Sequence, residues 1–254
     1  MEDINDWETK YEDCKYSERL LSKLMQINQE VTIPVDIDMV KKGIYYAKKY
    51  HGSQMRQSGD PYYSHPIEVA YMVAEYTAVE RPKYYKTDMI ITSLLHDTIE
   101  DTTLTEDMIG RIFGEQVASQ VVDLTRVKSY GKISAAETMT LLCKQKKYNV
   151  AIIKIFDRIH NLQTLQAKSP EKIEKIVKES LKYFLIVVIH LEISIPIKLR
   201  LLKLCYQYIP YALPYSFQVQ DLLFFNNNPM GCFFPIFQNE IAQIQNLKRL
   251  KQIE

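Results

Sequence analysis

With 254 residues, 46% hydrophobic, 25% charged and only 7 glycines, the chain has room for one large domain and an extension, and its composition suits a mostly helical fold. Its 32 basic and 31 acidic residues leave a formal charge of +1, so bulk charge argues for neither nucleic acid nor a membrane surface as a partner; neither is expected, and an anionic ligand must be drawn by local charge. The four cysteines, Cys14, Cys143, Cys205 and Cys232, lie far apart with no Cys-x-x-Cys pair, the usage expected of reduced thiols in a cytoplasmic protein.

Met1 to Ile4 is acidic and lacks the apolar core of a signal peptide. Residues up to about 33 are polar, with an apolar set of Leu20, Leu21, Leu24, Met25 and Ile27 that predicts a surface helix. From Asp36 the apolar spacing turns helical through Ile37, Val40, Ile44 and Ala47, ending at Tyr50-His51-Gly52. Ser53 to Pro61 is full of turn residues and predicts a loop. Ser64-His65-Pro66 opens the next helix, and proline at the first helical position would put His65 at or beside the N-cap. Thr87-Asp88 can cap the helix carrying Met89-Ile90-Ile91 and Leu94-Leu95. Continued through residues 93–101, that helix would set His96 beside Glu100, and Asp97 beside Glu100 and Asp101.

Thr105-Glu106 restarts a short helix that stops at Gly114, and a further helix is expected from Glu115 to about Val127. A loop at Ser129 to Lys132 precedes a helix from Ala135 to about Gln145. Val150 to Leu165 is apolar almost all round and predicts a central buried helix. Asp157, Asn161 and Thr164 form one polar stripe on it; a lone buried carboxylate is costly, and a cation is a fitting partner. Ser169-Pro170-Glu171 starts a helix that runs into Tyr183 to Leu191, an apolar run well short of the roughly 20 residues a bilayer requires. Another helix is expected from Ile195 to about Tyr208, and no segment shows strand alternation. Beyond Pro210 the character changes: Asn226 to Gly231 lies between aromatic clusters, and Glu240 to Ile253 has the spacing of a packing helix.

An isolated His-Asp pair is more often a satisfied buried histidine beside an acidic helix end. Here His65, His96, Asp97 and Asp157 together offer two imidazoles and two carboxylates from three helices. Such a nitrogen and oxygen set suits manganese, iron or zinc better than calcium, and it leaves positions open for water and a substrate oxygen. Glu100 and Asp101, one turn on, are placed to orient or deprotonate that water. His51 and His160 read as supports of the fold rather than ligands.

Three motifs then carry a resemblance. His51 to Pro66 (HGSQMRQSGDPYYSHP) resembles the opening motif of the RelA/SpoT-type alarmone hydrolase domain, Leu94 to Thr102 (LLHDTIEDT) its metal and acid-base motif, and Asp157 to Leu165 (DRIHNLQTL) its third. They stand in the family's order and the likeness covers roughly residues 36–205. The resemblance implies an all-α HD-superfamily domain with a helical C-terminal extension, and Mn²⁺-dependent hydrolysis of (p)ppGpp to GDP or GTP and pyrophosphate. Carried over by position, His65, His96, Asp97 and Asp157 would hold the metal, and Glu100 and Asp101 would activate water. Arg56 would stack on guanine, as suits a planar guanidinium, while Ser58, Asn161 and Thr164 would line the nucleotide pocket. The expected division is an N-terminal helical segment over 1–35, the hydrolase domain over 36–190, and a connector and extension over 191–254.

Two departures stand out: 254 residues leave no room for the synthetase domain of long bifunctional members, and the connector is more apolar than the family pattern, with a tail beyond it that matches nothing in the family. Phe156 is also bulkier than the small residue expected before the third-motif aspartate and would crowd the pocket. Two rival readings keep the site. One changes the substrate to another nucleotide phosphate such as NADPH; the other makes the chain a binding module that senses alarmone without cleaving it. Homo-oligomerisation is left open.

Overall fold

In the computed structural model, residues 6–128 and 131–208 are described. The chain divides into two units, Met1–His160 and Asn161–Glu254. Among the described residues the fold is all-α apart from one small hairpin, as the composition and the family resemblance imply.

In the first unit a short turn, α1 (Trp7–Lys10), leads to α2 (Lys15–Asn28), whose Leu20, Leu21, Leu24 and Ile27 are buried as their spacing predicts. Met25 is the exception; it falls on the outer face and stays exposed. Helix α3 (Ile37–His51) begins where Asp36 accepts a hydrogen bond from the Met39 amide at 3.0 Å, a side-chain N-cap. Helix α4 (Ser64–Glu80) starts two residues earlier than the proline implies, so Pro66 is the third helical residue and His65 the second. Thr87, expected to cap α5 (Thr87–Leu95), is instead its first residue, and its hydroxyl accepts from the Asp36 amide at 2.9 Å, tying the starts of α3 and α5 together.

Helices α3 and α5 pack closely, and Gly43 permits it: a β-carbon there would meet Leu94 Cδ1 at 3.0 Å. Helix α5 packs in turn on α4, and α4 on α2. Past the site come α6 (Thr98–Asp101), α7 (Glu106–Phe113), capped by Thr105 and stopped at Gly114, and α8 (Glu115–Leu124). Tyr46, Ala47, Ile91, Leu95, Leu104, Ile109, Val117, Ala118 and Val121 make one core cluster beneath these elements.

The segment after α8 corrects the sequence reading. The helix ends at Leu124, three residues short, and the chain forms an antiparallel pair, β1 (Val127–Lys128) and β2 (Gly131–Lys132), with Val127 opposite Lys132. Two-residue strands show no alternation to detect. Helix α9 (Ala135–Lys144) follows behind a Ser134/Glu137 capping box, then α10 (Tyr148–Gln163). Phe156 does not crowd the site: one residue along the helix from Asp157, it points about 100° away and packs against Tyr76 of α4 with ring centroids 5.4 Å apart.

In the second unit, α11 (Pro170–Glu179) has Ser169 at the N-cap and proline at the first position, as read from the sequence. It passes through a π-helical turn, Ser180–Phe184, into α12 (Leu185–His190), and α13 (Ile195–Tyr206) follows. No helix among the described residues is long and apolar enough to cross a membrane. Cys14, Cys143 and Cys205 are free thiols. Cys232 and the helix expected over Glu240 to Ile253 lie outside the described residues.

Candidate metal centre

Residues 93–101 are not one continuous helix: the chain breaks at His96-Asp97. Helix α5 ends at Leu95, His96 is its C-cap, and Asp97 (φ −116°, ψ −2°) starts α6. The break turns Glu100 away from His96, so the helical pairing expected between them does not form. His96 faces His65 of α4 and Asp157 of α10, while Asp97 faces His51 at the end of α3.

His65, His96 and Asp157, all buried, bring one ligand atom each within 4.8 Å of one another. His65 Nε2 lies 3.2 Å and His96 Nε2 3.7 Å from Asp157 Oδ1. Atoms that share an ion at about 2.1 Å sit about 3.0–3.4 Å apart; the His65–Asp157 spacing falls in that range and the His96–Asp157 spacing lies just beyond it. The ring nitrogens facing away are engaged. His96 Nδ1 faces the Ser93 carbonyl at 2.8 Å, and donating there leaves the Nε2 lone pair facing inward. His65 Nδ1 meets His160 Nδ1 at 2.7 Å. Burial, then the charges of His65 and Arg56, lower the pKa of His160 to about 3, so its ring is neutral and can accept from His65.

Asp97 lies beside this trio. Its Oδ1 is 3.2 Å from His51 Nε2, and Oδ2, 3.9 Å from His96 Nε2, is buried without a hydrogen-bond partner. An orphaned carboxylate oxygen inside a protein costs about 1–3 kcal/mol or more, which a cation would offset. Together the two imidazoles, two carboxylates and this open oxygen fit a divalent metal. Burial raises the pKa of both carboxyls, but the charges around them win: His96 and His51 lower Asp97, and Lys154, His65 and His96 lower Asp157. Burial likewise opposes a charge on His96, yet Asp97 and Asp157 leave its pKa raised, while burial keeps that of His65 lowered.

The two acidic residues after the break have different surroundings. Glu100 is gripped by Arg126, whose Nη2 and Nε donate at 2.5 and 3.2 Å, and by Lys132 Nζ at 2.8 Å. Burial works against ionisation, but these hydrogen bonds take its pKa down to about 2. Asp101 is exposed, and its Oδ2 accepts from the Tyr62 hydroxyl at 2.7 Å. Tyr62 stacks on His51 at 4.6 Å, and Gln54 joins the His51 ring to the Asp101 carbonyl, both at 3.0 Å.

Arg56 and Ser58 sit at the tip of the loop between α3 and α4, Arg56 half-buried and Ser58 exposed. Asn161 and Thr164, one and nearly two turns past Asp157, belong to the second unit, where the Thr164 hydroxyl lies 3.5 Å from the Asn161 carbonyl.

Sequence reasoning missed four participants. Lys154 pairs with Asp157 Oδ2 at 2.8 Å and is only 8% exposed; its spacing of three from Asp157 on a helix could have revealed it. Arg126 precedes the unpredicted hairpin and Lys132 is on its second strand, and Tyr62 lies inside the His51 to Pro66 motif.

Residues 43–186 match the family model described as HD domain, over half of the chain. Among curated relatives, a GTP pyrophosphokinase of Myxococcus xanthus is 34% identical over 183 residues, covering 68% of this chain and 23% of that protein. A probable guanosine-3′,5′-bis(diphosphate) 3′-pyrophosphohydrolase of Synechocystis is 31% identical over 191 residues, covering 72% and 24%. The chain thus spans about a quarter of the length of these relatives. A solved structure described as a metazoan ortholog of SpoT that hydrolyzes ppGpp aligns with a TM-score of 0.49 at 21% identity, covering 70% of this chain and 98% of that one. By the family model that spans residues 43–186, with the buried histidine and aspartate cluster lying inside that span, the chain belongs to the HD domain family.

Proposed function

We propose that the chain removes the 3′-pyrophosphate of (p)ppGpp, adding water across the phosphoester bond to give GDP or GTP and pyrophosphate, with Mn²⁺ held by His65, His96, Asp97 and Asp157. The observation that carries this reading is the buried His65/His96/Asp157 cluster with the unsatisfied Asp97 oxygen beside it, next to two carboxylates in unlike surroundings. A relative named for the same hydrolysis shares the matched segment, which supports it. When bound, a divalent cation supplies Lewis acidity, lowering the pKa of a water and polarising the phosphoryl group.

The side chains divide the remaining work. Glu100, fixed as an anion by Arg126 and Lys132, is a poor proton acceptor and a good orienting group for the attacking water. Asp101, exposed and with one oxygen on Tyr62, takes the water's proton and passes it to solvent. Arg56 stacks on the guanine, and Ser58, Asn161 and Thr164 contact the nucleotide. The hydrolase domain of this proposal spans residues 36–190, and the protein acts in the cytoplasm.

Incubating the full chain with ppGpp and Mn²⁺ tests it: pyrophosphate and GDP should appear in equal amounts and chelator should stop both. No pyrophosphate over a range of Mn²⁺ concentrations overturns the proposal. Turnover of NADPH with ppGpp left intact would move the site to another nucleotide phosphate, and tight ppGpp binding without turnover would make the chain a sensor.

A further inference from the structure

The loop over residues 52–63 is rich in polar residues, and its tip, 57–59, is exposed. Such a segment orders only if specific bonds hold it. At its base it is fastened to the site by Gln54 and Tyr62, as described above, and closed by the Tyr62 amide donating to the Gln54 carbonyl at 2.9 Å. At the tip, the Arg56 amide donates to the Asp60 carbonyl at 2.8 Å, and the Gly59 amide to the Arg56 carbonyl at 3.0 Å. Gly59 has φ +89°, a left-handed turn that favours glycine.

Helix α2 reaches the loop's tip with a side-chain hydrogen bond. The Tyr16 hydroxyl on α2 donates to Asp60 Oδ1 at 2.9 Å, across 44 positions of sequence. The other oxygen, Asp60 Oδ2, accepts from the Ser58 hydroxyl at 3.0 Å. Asp60 therefore joins Tyr16, Ser58 and the backbone of Arg56. Tyr16 itself stands on a fixed platform. Helix α2 buries four apolar side chains against the unit, Arg19 donates to both oxygens of Glu68 on α4 at 2.7 and 2.8 Å, and Lys48 on α3 donates to the Glu12 carbonyl.

We propose that Tyr16 and Asp60 are positioning residues that clamp the 52–63 loop in the shape that receives the nucleotide, so that the N-terminal helix sets substrate affinity. The proposal rests on the reading of Arg56 and Ser58 as nucleotide contacts. Neither Tyr16 nor Asp60 touches the reacting atoms; Tyr16 acts through Asp60, and Asp60 through Ser58 and the Arg56 backbone.

Steady-state hydrolysis of ppGpp by full-length Tyr16→Phe, Asp60→Ala and the double variant tests the clamp. Tyr16→Phe removes one hydroxyl and should raise KM about three- to tenfold, the worth of one hydrogen bond, with kcat within about twofold of the wild type. In the Asp60→Ala background the Tyr16 change should add nothing, since the two act in series. An unchanged KM for Tyr16→Phe, a fall in kcat at constant KM, or simple additivity overturns the proposal. Should the wild type not hydrolyse ppGpp at all, that result counts against the proposed function alone. Amide hydrogen exchange over 54–62 then decides the clamp: faster exchange in Tyr16→Phe supports it and unchanged exchange overturns it.

Discussion

His160 stands behind the candidate cluster as a support of His65. Its ring is held neutral by burial and faces His65 Nδ1 at 2.7 Å, so it fixes which nitrogen of His65 is free to face Asp157. Replacing His160 with Ala should weaken Mn²⁺ binding by about 10- to 100-fold, the usual cost of losing such a support; calorimetric titration of wild type and variant checks it. His96 adds a pH dependence. Two carboxylates raise its pKa, so a proton competes for the nitrogen a metal would use. Metal affinity should therefore fall as pH drops through the raised pKa of His96, with proton release on binding above the ordinary amount for imidazole. Affinity that is flat across that range would contradict this. The residues that cluster were legible in the sequence because they sit in three short motifs; the support of His65 by His160 was not, because it depends on a contact across 95 positions.

At the scale of elements, the unpredicted hairpin carries a definite electrostatic load. Arg126 before β1 and Lys132 on β2 converge on Glu100, whose side chain is 8% exposed. Glu100 has a folded-state pKa of about 2, depressed from 4.5, so its ionisation stabilises the fold above pH 4.5, and that contribution is lost as pH falls toward 2. Arg126→Ala should cost about 1–3 kcal/mol at neutral pH, because it strips a partially buried carboxylate of its strongest partner. The cost should shrink as Glu100 protonates; denaturant unfolding at pH 7 and pH 3 measures both, and an equal loss at the two values would contradict it. Long helices such as α3, α10 and α13 were legible because their apolar periods run for three turns or more. The hairpin was not, since a pair of two-residue strands leaves no period, and the break at His96-Asp97 was hidden by apolar residues that continue helical spacing up to it.

Over the whole molecule, the first unit assembles its site from segments far apart in the chain: the start of α4, the α5/α6 break and the buried face of α10. Sequence alone named these segments because buried polar residues are costly and so are rarely placed without a partner. It could not show that Asp97 stands beside the trio rather than within it, because that depends on how the break after Leu95 turns the chain. The most direct measurement is a titration of Mn²⁺ into the purified full chain, followed by electron paramagnetic resonance. One equivalent should bind, and binding should be lost in His96→Ala and Asp157→Ala and weakened in Asp97→Ala, yet retained in Glu100→Gln. If no Mn²⁺ binds, or if binding survives in all three ligand variants, the histidine and aspartate cluster is not a metal centre.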